Sequence, residues 1–324
     1  MSQRTLSGPG PEAGGRAGPA PARPGARRRT FSVRRRRSAA AALVLLPPAA
    51  FFYVIFVLRP IAYSVQYSLY EWNGIGEATW VGLANYVELV QDPERFAPIV
   101  NALQLIVYFS FVPVTLGLVA AAIIRKFATS RLAAVGRTVL FLPQVIPLVA
   151  AGIMWTWIMA SDGVVNQFLR LIGLGSLTRA WLGDFDTALP AVGVIGAWVS
   201  LGLCLVLLLA GMSKIDPALY EAARLDGAGP IREFWSITLP SLRQELAVAI
   251  TVTVIAALAS FDIIFISTQG GPGGTTMVPG LEIYYLAFFQ REIGAASALA
   301  VALMVLVLLV VIPLQRVIRG REDT

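Results

Sequence analysis

The sequence predicts an all-α fold: a polytopic membrane bundle of six transmembrane helices. Three observations predict it. Mean hydropathy is +0.70. Only 14% of the 324 residues are charged, against about 25% in a soluble domain. Six apolar runs are each long enough, at 1.5 Å per helical residue, to cross about 30 Å of hydrocarbon. The runs are continuous rather than alternating in strands of about ten residues. Helices, not a barrel, therefore satisfy the main chain in lipid.

Residues 1–38 are rich in Gly, Pro, Ala and Arg and short of bulky apolar side chains. Such a segment cannot bury enough surface to offset chain entropy, and a disordered basic cytoplasmic tail is expected there. RRRRSAAAAL (34–43) has the look of a twin-arginine export signal. The run that follows is a full span with five more behind it and no small-residue cleavage pattern, which favours a retained first span. The six-span transmembrane domain is read as 39–315. Its spans are 39–58 (with an amphipathic extension to 70), 101–124, 138–159, 188–210, 246–268 and 295–314. Pro47, Pro48, Pro113, Pro143 and Pro147 lie within them and predict bends. A short tail, 316–324, ends the chain.

Charge orients the bundle. Ten Lys and Arg residues precede Ala39, four lie in 125–137, four in 211–245 and three after Leu314, against five elsewhere. The positive-inside rule then puts both termini and the loop 211–245 on the cytoplasmic side of the cell membrane. Tyr63, Tyr67, Tyr70, Trp72, Trp80, Trp181, Tyr284 and Tyr285 gather where the outer interface falls. The basic excess is thus a topology signal, and nucleic-acid binding is excluded as the reading. With one cysteine, Cys204, and no histidine, neither an internal disulfide nor a His/Cys metal cluster can form. Cys204 lies among leucines and valines and reads as a packing residue. No convergent acid/base or nucleophile pair is found in the spans, so no catalytic residue and no metal ligand are assigned. A membrane enzyme and a self-powered secondary transporter are the weaker classes; the latter needs intramembrane ionisable relays that the spans lack.

The loop 211–245 is far longer than the two to eight residues a helix–helix turn needs. Asp216-Pro217 provides an N-cap and first-turn proline. Leu219, Tyr220, Ala223 and Leu225 form an apolar stripe, with Glu221 and Arg224 at i and i+3. Asp226-Gly227 and Gly229-Pro230 end the helix. A second segment, 231–238, follows and Leu239-Pro240 closes it. Two short helices around a glycine turn make a knob, suited either to a groove on a partner or to the base of its own bundle.

EAA at 221–223, three residues, Gly227, nine residues, Ile237, one residue, then Leu239-Pro240 resembles in full the EAA loop of ATP-binding-cassette (ABC) importer permeases. YSLYEWNGIG (67–76), WVGLANYVELVQDP (80–93), LFLPQVIPLVAAGIMWTWI (140–158), TQGGPGGTT (268–276) and GAASALAV (294–301) resemble the carbohydrate-uptake group of the type I kind. The resemblance implies a transmembrane sugar-importer subunit working with a second permease subunit, two copies of a cytoplasmic ATPase subunit and an extracellular solute-binding protein. It implies that Glu221, Ala222, Ala223, Asp226, Gly227, Gly229, Ile237, Leu239 and Pro240 couple to that ATPase. An oligosaccharide is the expected solute, with a monosaccharide or glycerol-phosphate ester as the alternative. This chain has no G-x-x-x-x-G-K-[ST] phosphate loop, so ATP and Mg belong to the partner and no cofactor is assigned here. GGPGG (270–274) lacks the lysine and reads as a tight outer loop.

A sugar path needs polar groups and flat apolar faces in a cavity. Gln144, Trp198, Ser200, Thr253, Ser260 and Asp262 are the candidates within the spans. Thr253 and Ser260, seven apart, should share a helix face. Asp262 would cost about 2.5–3.5 kcal/mol at the bilayer centre and less toward the outer end; a structural hydrogen bond at a helix end is an equal reading. Ala256 and Ala257 stand where the resembling maltose-type subunit contacts sugar.

Overall fold

A computed structural model describes residues 46–127 and 130–319. The expected tail at 1–38, the first residues of span one and the last residues, 320–324, lie outside the described residues. The chain divides into two units, Met1–Pro60 and Ile61–Thr324. In the first, the described residues form the start of helix α1 (Leu46–Tyr67). Phe51, Phe52 and Phe56 are exposed there, as lipid-facing side chains are.

In the second unit a two-residue antiparallel ribbon, β1 (Tyr70–Glu71) with β2 (Thr79–Trp80), precedes α2 (Ala84–Gln91). This ribbon is the one departure from the all-α reading among the described residues. It is pinned by the Asn85 amide, which donates to the Ser68 carbonyl at 2.9 Å and the Tyr70 carbonyl at 3.0 Å. Then come α3 (Pro93–Lys126), α4 (Arg131–Val145), α5 (Leu148–Ile158), α6 (Val164–Leu171), α7 (Ala188–Met212) and α8 (Pro217–Leu225). The series ends with α9 (Pro230–Ser241), α10 (Arg243–Leu258), α11 (Asp262–Ser267), α12 (Pro279–Tyr285) and α13 (Ile293–Arg319).

Among the described residues, four helices are long and apolar enough to cross a membrane: α1, α3, α7 and α13. The bent pairs α4–α5 and α9–α10 bring the number to six if each is one span, with α9 lying in the loop 211–245 rather than in the expected span 246–268. α7 is the central post. Glycines on its flank let neighbours approach closely, the usual device where lipid supplies no hydrophobic drive between helices. Gly193 and Gly196 face the rings of Tyr108 and Phe109 on α3, and Gly202 faces Gln144 and the Leu140 carbonyl on α4. Gly117 of α3 faces Cys204, which is fully buried. One apolar cluster joins Leu105, Ile195, Ala257, Ile264 and Leu281. A second, at the other end of α7, joins Ala121, Leu208, Met212 and Leu242.

Three prolines share one effect, while Pro98, Pro143 and Pro313 lie in helices without it and a fourth π-turn, Leu286–Gln290, has no proline after it. Wide π-turns occupy Val54–Leu58, Val107–Phe111 and Phe234–Thr238, and each is followed two residues later by a proline: Pro60, Pro113 and Pro240. A helical proline removes one hydrogen bond and its ring presses on the carbonyl four residues earlier. An i→i−5 bond just before the proline, such as Leu239 N–H to the Phe234 carbonyl, opens the turn and relieves that clash. This corrects one expectation: Leu239-Pro240 does not close the second cytoplasmic helix. The helix runs on to Ser241, and the chain turns at Leu242 (φ −92°, ψ 10°).

Two of the expected spans are broken. The bend that Pro143 and Pro147 predict in the run 138–159 is a turn of 104° between α4 and α5. Ile146 is driven into extended backbone (φ −75°, ψ 128°), as the residue before a proline is. The run 246–268 stops at Leu258 and restarts at Asp262, with Phe261 at φ −144°. Neither proline nor glycine marks that break. It lies where α12 packs, a Cβ on Gly280 falling 3.1 Å from the Ser260 carbonyl.

Candidate functional site

The knob is built as its sequence dictates at the first end and by a specific cap at the second. The Asp216 carboxylate accepts from the Ala218 N–H at 2.9 Å, and Pro217 occupies the first turn of α8. At the other end Gly227 sits at φ +78°. The Ala228 N–H bonds the Ala223 carbonyl at 2.9 Å and the Gly227 N–H bonds the Arg224 carbonyl at 3.0 Å. This is a Schellman cap, in which a left-handed residue stands four positions after the carbonyl that closes the loop. The motif's spacing of three residues between its second alanine and its glycine is the length of that cap. Gly229 takes an ordinary φ of −79° as N-cap of α9, so the turn itself needs only Gly227.

The motif residues divide by face. Glu221, Ala222, Asp226, Gly227 and Gly229 are exposed, whereas Ala223, Ile237, Leu239 and Pro240 are half-buried toward the bundle. The expected apolar stripe divides too: Tyr220 and Ala223 turn inward, Leu219 and Leu225 outward. Leu225, Ile231 and Trp235 are 90%, 77% and 63% exposed. They belong to the loop that charge counting places outside the bilayer, where a cluster of large apolar side chains marks an interaction surface. Arg224 does not pair with Glu221. Its guanidinium crosses the turn to Glu233 at 2.9 Å. That hydrogen bond and charge raise the Arg224 pKa further above its ordinary value.

The path candidates are not gathered at one point. Gln144 lies on α4 against Gly202 of α7. One turn away, half-buried Trp198 meets Trp155 of α5 edge to face, with centroids 5.5 Å apart; Ser200 is half-buried on the same helix. Thr253 is buried, and its hydroxyl is committed to Ser110 of α3 and to the Ala249 carbonyl, both at 2.8 Å. Ser260 lies in the break between α10 and α11, so the face it was expected to share with Thr253 is interrupted. It is 8% exposed and its Oγ has no hydrogen-bond partner. Asp262 opens α11 and is exposed. Two further buried polar atoms lack partners: Trp155 Nε1 and Ser267 Oγ. Their helices touch, since Gly152 of α5 faces Ile266 and the Ile263 carbonyl of α11. Sequence reasoning missed Trp155 and Ser267, because a span rich in apolar residues gives no sign of which polar atom its neighbours leave unpaired.

The helix bundle and the Schellman-capped knob between α7 and α10 set the frame in which the chain compares with known proteins. The chain belongs to the family described as binding-protein-dependent transport system inner membrane component, which it matches over residues 114–321. It is therefore an ABC importer permease, a multi-pass inner membrane protein that serves as a transport subunit rather than as a catalyst. It is 37% identical over 257 residues to the probable ABC transporter permease protein YurN of Bacillus subtilis (79% of this chain, 88% of the relative). It is 33% identical over 275 residues to the trehalose/maltose transport system permease protein MalF of Thermococcus litoralis (83% and 90%). It is 32% identical over 261 residues to the diacetylchitobiose uptake system permease protein NgcF of Streptomyces coelicolor (77% and 74%). A bacterial ABC transporter involved in the import of the acidic polysaccharide alginate aligns with a TM-score of 0.75 at 25% identity, covering 90% of this chain and 99% of that one.

Proposed function

We propose that this chain carries an oligosaccharide inward, using ATP hydrolysed by two copies of a cytoplasmic ATPase subunit that seat the knob 211–245. A second permease subunit completes the pathway, and an extracellular solute-binding protein delivers the sugar. The observation that carries the ATPase assignment is the outward display of Leu225, Ile231 and Trp235 beside exposed Glu221 and Gly227. Large apolar side chains on a polar loop are covered by a partner, and a short helix laid in a groove covers these. Glu221 meets a basic group of that groove, and exposed Ala222 lets the two backbones come close. ATP and Mg are held by the ATPase alone.

Three things support an oligosaccharide. Relatives carry the names of trehalose/maltose and diacetylchitobiose systems, and the alginate importer shares the fold. Inside the bundle, the Trp155–Trp198 pair offers flat apolar faces, and Ser260 and Ser267 offer unpaired hydroxyls. Sugars present the complementary surface, an apolar ring face edged by hydroxyls. Gln144 and Asp262 extend the polar lining on either side of that region, and Thr253 holds α10 to α3.

The test is reconstitution. The complex purified through a tag on this chain is placed in liposomes with ATP inside, and a panel of di- to pentasaccharides, a monosaccharide and glycerol 3-phosphate is offered outside. ATP-dependent accumulation of an oligosaccharide is expected. Uptake that follows an ion gradient and ignores ATP would overturn the reading.

A further inference from the structure

The chain joins α8 directly to α7 through 213–216 and to α9 through 226–229, but toward α3 it faces open space. A cavity of about 870 Å³ lies between the end of α3, α8 and α9, lined in part by Ile123, Tyr220, Ala228 and Phe234. Coupling between two elements travels through contacts that physically join them, and a side chain that bridges this cavity is such a contact. Tyr220, the residue immediately before EAA, is one.

Its hydroxyl accepts a hydrogen bond from Arg125 Nη1, at the end of α3, at 2.6 Å. The Arg125 guanidinium also lies over the Tyr220 ring, 4.4 Å from its centroid. The same hydroxyl is 2.8 Å from Oγ1 of Thr238, which is buried at the end of the π-turn of α9. Arginine has donors only, so the tyrosine oxygen accepts from it. Between the Tyr220 and Thr238 hydroxyls either can donate. The Tyr220 oxygen thus joins Arg125 on one side and Thr238 on the other, and both arms are satisfied. Half-buried Tyr220 thereby ties the knob's first helix to span two, through α3, and to the base of span five, through α9 and α10.

We propose that Tyr220 is the pin through which displacement of α8 by the ATPase is passed to α3 and α9. It is a positioning residue, since it touches neither solute nor nucleotide. The inference rests on the proposed docking of an ATPase at the knob, and its test separates the two. The complex is purified through this chain and put in nanodiscs. Hydrogen exchange is then measured with and without ATP plus vanadate, for three segments: 217–226, 121–127 and 234–242. In the unaltered protein all three are expected to change protection on trapping. Failure of 217–226 to respond there overturns the docking itself.

Tyr220→Phe keeps the ring and its stacking on Arg125 but removes both hydrogen bonds. It is expected to keep the response of 217–226 and to lose that of 121–127 and of 234–242. Thr238→Val cuts one arm only, and is expected to lose the response of 234–242 while 121–127 still responds. The bond to charged Arg125 changes an equilibrium by about tenfold or more and the neutral bond to Thr238 by about two- to tenfold, so the larger expected loss is at 121–127. Responses of unaltered size at 121–127 in Tyr220→Phe overturn the pin. So does a Thr238→Val protein that responds like the unaltered one at 234–242. A variant merely misfolded would lose the response of 217–226 as well, an outcome that also counts against the arm-specific role.

Discussion

The knob and the break in span five leave different groups unmatched. In the knob several charged and hydroxyl groups are mated: Arg224 with Glu233, Lys214 with Glu245, Tyr220 with Arg125 and Thr238. Besides charges such as Glu221 and Asp226, which water can solvate, it exposes large apolar side chains, namely Leu225, Ile231 and Trp235. At the span-five break the apolar side chains are mated, with Ile263, Ile264 and Ala257 in one core cluster. What is left over there is polar: Ser260 Oγ, Ser267 Oγ and, on the facing helix, Trp155 Nε1. In water, an unmatched apolar surface is the group that waits for a partner. In a dry interior, the unmatched donor or acceptor plays that part, because it costs about 1–3 kcal/mol until it is satisfied. Under the proposed function, the difference matches a protein partner at one end and a hydroxyl-bearing solute at the other.

The largest effect expected separates packing from coupling. Gly196→Val drives a branched side chain into the Phe109 ring, and overpacking of this kind costs about 1–3 kcal/mol or more. Loss of monodisperse protein in size-exclusion chromatography is the expected result. Gly227→Arg meets no neighbour within 4 Å but places a long side chain at a left-handed residue on the docking face. The protein is expected to insert and purify normally while ATP-driven uptake disappears. Normal uptake by this variant would break the comparison at its cytoplasmic end.

A smaller effect sharpens the other end. Ser260→Ala removes a hydroxyl that bonds nothing in the folded chain. The melting temperature should hold or rise slightly, while the KM for the transported oligosaccharide rises by about fivefold, the worth of one hydrogen bond. An unchanged KM would show that the hydroxyl does not meet the solute.

The smallest effect concerns the outer cap. Burial raises the Glu282 pKa above the ordinary carboxylate value of 4.5, and the Arg95 charge only partly offsets this. A carboxyl whose folded pKa is raised favours folding in its protonated state. That contribution is fully present below the unfolded value and is lost as pH rises through the folded one. The melting temperature in detergent should therefore fall slightly as pH rises from about 4 through the weakly acidic range. Glu282→Gln should remove that slope.

Much of this was legible in the sequence, and the reason is physical. Runs of apolar residues have their length set by bilayer thickness. The knob was legible because Asp216-Pro217 and Gly227 act locally, through capping groups within a few residues. The interior was less so. The break at Ala259–Phe261 carries no proline or glycine and follows from α12 packing on it. Thr253 was read as a solute candidate because no span sequence reveals that Ser110, 143 residues away, takes its hydroxyl. The π-turns were half legible: prolines announced bends, but not that a widened turn lets the helix continue through Pro240.

The central claim is that the knob lies on the inner side and seats in an ATPase. It is tested most directly by placing a photo-cross-linking benzoylphenylalanine at position 225 in the native membrane. The expected product joins this chain to a protein whose peptides contain a G-x-x-x-x-G-K-[ST] sequence, and its yield falls in Gly227→Arg. Cross-links formed solely with lipid, or with a protein on the outer side, would contradict the account.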